Sequence, residues 1–479
     1  MKTKEKKTLV KKVGNKKDIK NIKNIKKIKK TKNEGEKKKT IFLDACSIIT
    51  KKRDGNALTR EEIKWFIDGF TAKSIPSYQM ASLLMAIYIR GLDKEETAYL
   101  TDAMLYSGTV LNFNDPLVID KHSTGGIGDK TTFIIAAVVA AAGVRFPSIA
   151  GRGLGFTGGT VDKIESIKGF QAEIGLDQYK KLIYENGLVL IGQTKDLAPA
   201  DKEIYALRDV TATVSSIPLI TASIMSKKLA EGMAGIVLDV KFGAGAFMKS
   251  KKDAKALALS MANTCERFNK KCMAFLTDMS QPLGFAVGNS LEIIECLEAL
   301  KGRGPRDLVD LSLKLAGGMI YLAGLAKSHN EGIKKAQEVL DNGEALKKFE
   351  VLVKAQGGDE RYVHDYSLFK KAERELVVKS IKKGYIKSFK NEDIGLVCID
   401  LGGGRKVATD TIDHGVGLMI YKKIGDKVDI DETLLTIHYN QGQEDLAKKI
   451  AERFVNDIIE VSSKRVSPIK LVHECIIRK

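Results

Sequence analysis

Apolar residues recur at three- and four-residue intervals early in the chain and gather into short uninterrupted runs further on. Thr59-Arg60-Glu61-Glu62 is a capping-box pattern, followed by Ile63, Phe66, Ile67 and Phe70 on one helical face. Ser77 predicts the cap of a second helix, with Met80, Leu83, Leu84 and Ile87 inward and Gly91 at its end. Asp93-Lys94-Glu95-Glu96 opens a third, so the early part predicts a small all-α unit of amphipathic helices. From Asn114 the texture changes. Short apolar runs predict strands over 116–119, 144–149, 188–191 and 236–240, alternating with helices, which argues for an α/β unit with a mixed or parallel sheet. The polar, hydroxyl-rich passage 200–228 interrupts that alternation, and helical stretches follow over 252–270 and 290–300. In the last hundred residues, 394–400 and 417–420 read as strands, and Gly402-Gly403-Gly404 and 425–428 as turns. A small β-rich part with two closing helices is expected there. No internal repeat is visible.

Composition changes this picture in one place. The body has the balance of an ordinary folded protein, but residues 1–40 hold 18 lysines and no arginine against four acids, so +14 of the net +19 resides there. This low-complexity extension lacks the apolar core and small-residue cleavage site of a secretory signal, and lacks the Arg and Ser of a transit peptide. It reads as a solvated, disordered segment, with weak non-specific polyanion binding as its alternative use. The longest apolar run, 133–142, is half a membrane span. The six cysteines show no CxxC spacing and the six histidines no HxxxH pair, so reduced thiols in a cytoplasmic protein are expected rather than a disulfide framework or zinc site.

Candidate chemistry concentrates in Lys121-His122-Ser123-Thr124-Gly125-Gly126-Ile127-Gly128-Asp129-Lys130. A cation, an imidazole, two hydroxyls and three glycines after an apolar strand are the material of an anion pocket, and an apolar helix follows from Thr131. A Walker loop is a weak reading because Asp129 separates Gly128 from Lys130. Downstream, residues 153–158 match GxGxxG, a cheap match in a chain with 43 glycines and one that opens no ordinary first βαβ unit. Either turn alone could be a plain strand-to-helix loop. Two such turns about 30 residues apart favour a shared phosphate site.

Several longer motifs, in order, carry a resemblance. Lys-Lys-Arg-Asp-Gly at 51–55, residues 121–129, Gly151-Arg152-Gly153-Leu154-Gly155 with Thr157-Gly158-Gly159-Thr160, 205–213, 217–228, 400–404 and 410–413 all take part. From about Phe42 onward the chain resembles the thymidine and pyrimidine-nucleoside phosphorylases. The resemblance implies reversible phosphorolysis of a pyrimidine nucleoside (thymidine, deoxyuridine or uridine) to free base and (2-deoxy)ribose 1-phosphate, in salvage, with no organic cofactor and a homodimer formed through the α domain. It implies an α domain over 41–110 with 198–232, an α/β phosphate-binding domain over 111–197 with 233–380, and an α+β domain over 381–479. Lys121, Ser123, Thr132 and Thr160 fall on the family's phosphate positions, as do Ser148, toward the sugar, and Ala150. Tyr205, Arg208, Ser223 and Lys227 fall on the positions that hold the base, and His122 on that of a general acid toward the base O2. Arg208 and Lys227 would then neutralise an anionic leaving group.

The departures are specific. Ala150 stands where the family commonly has serine, which removes a hydroxyl contact worth about 1 kcal/mol. Phe156 replaces a usual histidine. The resemblance also implies a potassium site at Gly128, Leu283, Ala286 and Glu295, but its fifth position, commonly threonine, is Lys130. The expectation is that the Lys130 ammonium replaces the ion and pairs with Glu295. A phosphoribosyltransferase of the anthranilate type, with a related fold and a Gly-rich anion loop, is the runner-up. It would need acidic residues holding magnesium on a diphosphate, and no such pair stands at a suitable place. The C-terminal part lacks the Met-Lys-Met tip of a biotinyl or lipoyl carrier.

Overall fold

The computed structural model describes residues 43–153, 158–407 and 409–478. The Lys-rich extension and Phe156 and Thr157 therefore lie outside the described residues. Helices α1 (Ala45–Arg53), α2 (Arg60–Thr71), α3 (Ser77–Arg90) and α4 (Lys94–Leu105) form the helical unit. Both capping boxes are present, Thr59 with Glu62 and Asp93 with Glu96. Ser77 is not a cap: Pro76 holds the capping position in extended geometry and Ser77 is the first helical residue. Helix α1 has little apolar signature in the sequence, because it carries only Ala45, Ile48 and Lys52 inward. It is fixed instead by charge, since buried Lys52 donates to Glu96 at 2.7 Å and ties α1 to α4.

The next part alternates strands and helices: β1 (Ile119–Ser123), α5 (Thr131–Ala141), β2 (Phe146–Ala150), α6 (Thr160–Ile164), α7 (Leu176–Asn186) and β3 (Leu188–Gly192). Then come α8 (Pro199–Val210), α9 (Ile217–Ala230), β4 (Gly235–Phe242), α10 (Lys251–Arg267), β5 (Lys271–Asp278), β6 (Ala286–Val287) and the helices α11 (Asn289–Leu300), α12 (Arg306–Leu322), α13 (His329–Asp341) and α14 (Glu344–Ala355). Strands β1, β4 and β5 are parallel, as are β2 and β3, and a parallel bridge between Val118 and Arg145 joins the two sets. Neighbouring residues of β4 face different cores. Val237 lies in one apolar cluster with α5 and α12, and Ile236, Leu238 and Val240 in another with α10. Both faces of the sheet are thus covered, as a parallel sheet requires. Helix α8 packs on α2 and α3, and α9 packs on α4 and α10, so these two helices sit between the helical unit and the sheet.

The C-terminal part comprises β7 (Arg374–Lys379), β8 (Gly384–Phe389), α15 (Asn391–Asp400), β9 (Gly417–Ile420), β10 (Lys427–Val428), β11 (Thr433–Tyr439), α16 (Glu444–Arg453), β12 (Ile459–Ser462) and β13 (Val472–Arg478). Its sheets are antiparallel, in orders β6-β9-β11-β7 and β10-β8-β12. Two expectations fail here. The run 394–400 is helix, not strand: Ile394, Val397, Cys398 and Leu401 are buried at helical spacing while Leu396 is exposed. The chain also closes on a strand rather than a helix, because β13 returns to pair antiparallel with β5 and extends the α/β sheet.

Candidate active site

The first predicted strand begins late, and this sets the geometry of the site. Asp115 holds a turn by accepting from the Leu117 amide at 2.9 Å, so β1 starts at Ile119 and includes Lys121, His122 and Ser123. Alternation along a strand then sends Lys121 and Ser123 to one face and Asp120 and His122 to the other. The Gly-rich turn follows the strand instead of containing these residues. It is pinned to β4, since the Thr124 amide donates to the Asp239 carbonyl (3.0 Å) and the Lys241 amide donates to the Thr124 hydroxyl (2.9 Å).

On the first face, buried Lys121 donates to the hydroxyls of Thr131 (2.9 Å) and Thr132 (3.3 Å) at the start of α5. The Ser123 hydroxyl donates to Asp129 and accepts from the Gly125 amide at 3.1 Å. Thr131 donates its hydroxyl to the other Asp129 oxygen at 3.0 Å. Burial alone would push the Asp129 carboxyl up, but Lys241, Lys121 and the Ser123 hydroxyl hold it far below the ordinary carboxylate range. Lys241, fully buried, pairs with Asp239 at 2.8 Å and lies 4.0 Å from Asp129. Burial lowers the Lys121 ammonium, against the pull of Asp129 and Asp239. Thr160 begins α6, Ala150 ends β2, and Ser148 is buried within β2 opposite Leu190.

On the second face, Asp120 pairs with Lys228 at 2.8 Å, and Lys228 also reaches Glu231 at 2.9 Å and the Ile149 carbonyl at 2.9 Å. Burial drives the Glu231 carboxyl up, against the pull of Lys228. Burial, then Lys228, Lys121 and Lys227, push His122 well below its ordinary value. Burial thus disfavours the imidazolium, and the neutral ring can donate one N–H. Next to Lys228, Lys227 shares a face of α9 with Ser223, one turn before it. Lys227 donates to Ser223 at 3.1 Å and pairs with buried Asp201 of α8. Ser223 lies in mid-helix. A cavity of about 280 Å³ is lined by Ile149, Arg152, Gln193, Asp201, Lys227 and Glu231.

Arg208, expected at the base, makes internal contacts. It is buried, and its guanidinium donates to the carbonyls of Val214 (2.7 Å), Leu219 (3.1 Å) and Thr213 (3.4 Å), with Tyr205 5.7 Å from it. It closes the hydroxyl-rich turn between α8 and α9.

Three regions match described families. Residues 47–108 match the helical bundle domain and 115–346 the a/b domain of a glycosyl transferase family, and 385–457 match the pyrimidine nucleoside phosphorylase C-terminal domain. The chain is 47% identical over 432 residues to a pyrimidine-nucleoside phosphorylase of Staphylococcus aureus, covering 90% of this chain and 98% of that one. It is 46% identical over 432 residues to that of Geobacillus stearothermophilus, covering 90% and 99%. The chain belongs to the pyrimidine-nucleoside phosphorylase family. The crystal structure of anthranilate phosphoribosyltransferase from Thermus thermophilus shares the fold, with TM-score 0.54 at 21% identity over 64% of this chain and 99% of that one.

At the positions expected to hold potassium, this pyrimidine-nucleoside phosphorylase family member presents an ammonium of its own. Lys130 is fully buried, with its ammonium 2.5 Å from Glu295, 2.7 Å from the Ala286 carbonyl and 3.9 Å from Glu292. Glu295 in turn accepts from the amides of Phe285 and Ala286. Gly128 packs so closely on Leu283 that an added Cβ would lie 2.5 Å from its carbonyl. The donor set is already filled by an ammonium and does not fit a further monovalent cation. Burial lowers the Lys130 pKa, but Glu295 and Glu292 more than offset it, so the charge is permanent.

Sequence reading missed the residues that support the site. Asp239 and Lys241 stand two apart at the end of a buried strand, an alternation of charge within an apolar run that signals an internal ion pair. Asp162 accepts from the Gly153 amide at 2.6 Å and pairs with Arg152 (3.2 Å) and with Arg405 of the C-terminal part (2.8 Å). No local signal links residues 243 positions apart.

Proposed function

We propose that the chain catalyses the reversible phosphorolysis of pyrimidine nucleosides, thymidine, deoxyuridine or uridine, to the free base and (2-deoxy)ribose 1-phosphate, in salvage. The observation that carries this is the position of His122 on β1. It has the hydroxyl-and-lysine pocket of Lys121, Ser123 and Thr132 on the opposite face of its strand, and it feels the charge of Lys227 on α9. Phosphate held by Lys121, Thr132 and Thr160 attacks the anomeric carbon as the glycosidic bond breaks, and positioning with charge complementarity lowers the barrier. Its own negative charge faces the positive charge developing on the sugar. The base leaves with charge on its ring nitrogen and carbonyls, toward Lys227, Ser223 and the His122 N–H, beside Tyr205. Arg208 acts by fixing the α8–α9 turn that presents these groups. Over the whole reaction the C1′–N1 bond is replaced by C1′–O, and the proton of hydrogen phosphate ends on the base.

Closure of the cleft between the helical unit and the sheet would bring the two substrates together, since the phosphate residues and base residues come from different segments. We assign the domains as 41–110 with 198–232, 111–197 with 233–380, and 381–479, and the packing of α8 on α2 and α3 supports the first division. The Lys130 ammonium serves in place of potassium. Helix α3 exposes Tyr78 (71%), Ile89 (68%), Tyr88 and Met85, an apolar face that a second copy covers in a cytoplasmic homodimer. Among the described residues no helix is long and apolar enough to cross a membrane. The Lys-rich extension adds weak polyanion binding, which deletion of residues 1–40 removes without loss of phosphorolysis.

The deciding experiment measures phosphate-dependent base release from thymidine, deoxyuridine and uridine in parallel. Release from at least one is expected; release from none overturns the proposal.

A further inference from the structure

Counting donors and acceptors around the phosphate pocket gives an uneven result. Lys121 uses two of its three N–H groups on Thr131 and Thr132 and keeps one. Thr132 accepts from Lys121, so its own O–H is available to donate. Ser123 differs. Its hydroxyl proton points to Asp129, which is a carboxylate and can only accept. One lone pair of Ser123 takes the Gly125 amide, which leaves the other lone pair free. Ser123 is thus an acceptor toward the pocket, while Lys121 and Thr132 are donors. Asp129 cannot turn away to release it. Its second oxygen takes the Thr131 hydroxyl (3.0 Å) and amide (3.4 Å), and its own carbonyl takes Lys163 at 2.9 Å.

We infer that the Asp129–Ser123 pair makes the pocket selective for a protonated oxyanion: Ser123 accepts the P–OH of monohydrogen phosphate, and the site rejects sulfate, which has no proton to give. The inference rests on reading Lys121, Ser123 and Thr132 as the phosphate site. A fully deprotonated tetrahedral anion would bring a lone pair against the Ser123 lone pair, or force Ser123 to abandon Asp129. Either leaves a polar group unpaired beside buried Lys121, and specificity of this kind exceeds what size alone provides, since phosphate and sulfate have nearly one shape. The selected proton is the one that the overall reaction delivers to the base.

The test compares the phosphate KM with the Ki of sulfate as a competitor of phosphate. In the natural enzyme sulfate is expected to bind about 10- to 100-fold more weakly than phosphate. Asp129→Asn must keep its amide oxygen on the two donors of Thr131, so its NH2 faces Ser123. Ser123 then accepts from residue 129 and donates into the pocket, and the ratio is expected to shift toward sulfate by at least about tenfold. Ser123→Ala, which leaves the Asp129 carboxylate held by Thr131, is expected to weaken phosphate and not to weaken sulfate. It decides the matter if Asp129→Asn does not fold by its melting transition. Thr132→Val removes a donor that both anions use, so both should weaken together. A sulfate-to-phosphate ratio near one in the natural enzyme, or one that Ser123→Ala does not change, overturns the inference. If Thr132→Val and Lys121→Met leave both anions unaffected, the phosphate-site reading itself fails instead.

Discussion

The phosphate side and the base side of the site are held in different ways. Lys121, Ser123, Thr131 and Thr132 lie close in sequence across one strand, one turn and one helix start; Ser123 and Thr131 bond to Asp129, and Lys121 joins Thr131 to Thr132. Tyr205, Arg208, Ser223 and Lys227 come from two helices, and their partners are separate: Lys227 has Asp201, while Arg208 has the carbonyls of the turn. The phosphate side is local and anchored to the covered sheet. The base side depends on how α8 and α9 sit against the helical unit, so it is the half that closure can adjust. A change on the first side should damage phosphate use without moving nucleoside affinity, and the reverse should hold on the second.

The largest effect should come from Lys121→Met. It removes the buried cation that two threonines orient, and kcat/KM for phosphate should fall about 10³-fold while nucleoside binding in the absence of phosphate stays within about twofold. Equal losses for both substrates would erase the distinction between the two sides.

Next is Lys130→Thr. Removing one partner of a buried pair leaves Glu295 uncompensated, at a cost of about 3 kcal/mol, seen as a lower melting temperature. Because the carbonyl of Ala286 and the Glu295 carboxylate are then free, added potassium should restore part of that loss in the variant and have no effect on the natural enzyme. Potassium activation of the natural enzyme would break the assignment of Lys130 as the resident cation. On the base side, Asp201→Asn releases Lys227 from its carboxylate partner and should raise the nucleoside KM about tenfold, with the phosphate KM unchanged. An unchanged nucleoside KM would show that the ion pair does not orient Lys227.

The same contrast explains what was legible in the sequence. Helices α2 to α5, the strands of the sheet and the phosphate residues are written in local patterns, such as capping boxes, apolar runs and a hydroxyl-and-glycine turn. Even the pairing of Lys130 with Glu295 could be anticipated from a threonine position filled by lysine. What was not legible depends on tertiary partners. The run 394–400 satisfies strand and helix alike until its buried face is known, and α1 has almost no apolar pattern because Lys52 and Glu96 fix it. Arg208 looks like a free cation until the turn carbonyls that it closes are seen. Asp162, Arg405, Asp239 and Lys241 are ordinary charges in sequence and acquire meaning only where the fold joins them.

The smallest effect concerns His122, which lies between the two sides. Burial and three neighbouring lysines depress its pKa in the folded state, so between its folded value and the ordinary value near 6.5 the unfolded chain binds the proton that the folded chain refuses. Stability therefore rises with pH across that window, and it falls as pH drops below about 6.5, by no more than about 1.4 kcal/mol per pH unit from this group. If, as proposed, the neutral ring donates its N–H to the base, kcat/KM should show no break near 6.5. His122→Gln, which keeps a donor but cannot titrate, should remove this group's share of the acid-side stability loss and keep part of the activity. A break in kcat/KM near 6.5 that His122→Gln abolishes would mean that the imidazolium delivers the proton, and the base side would then rely on a charge that the buried strand is built to exclude.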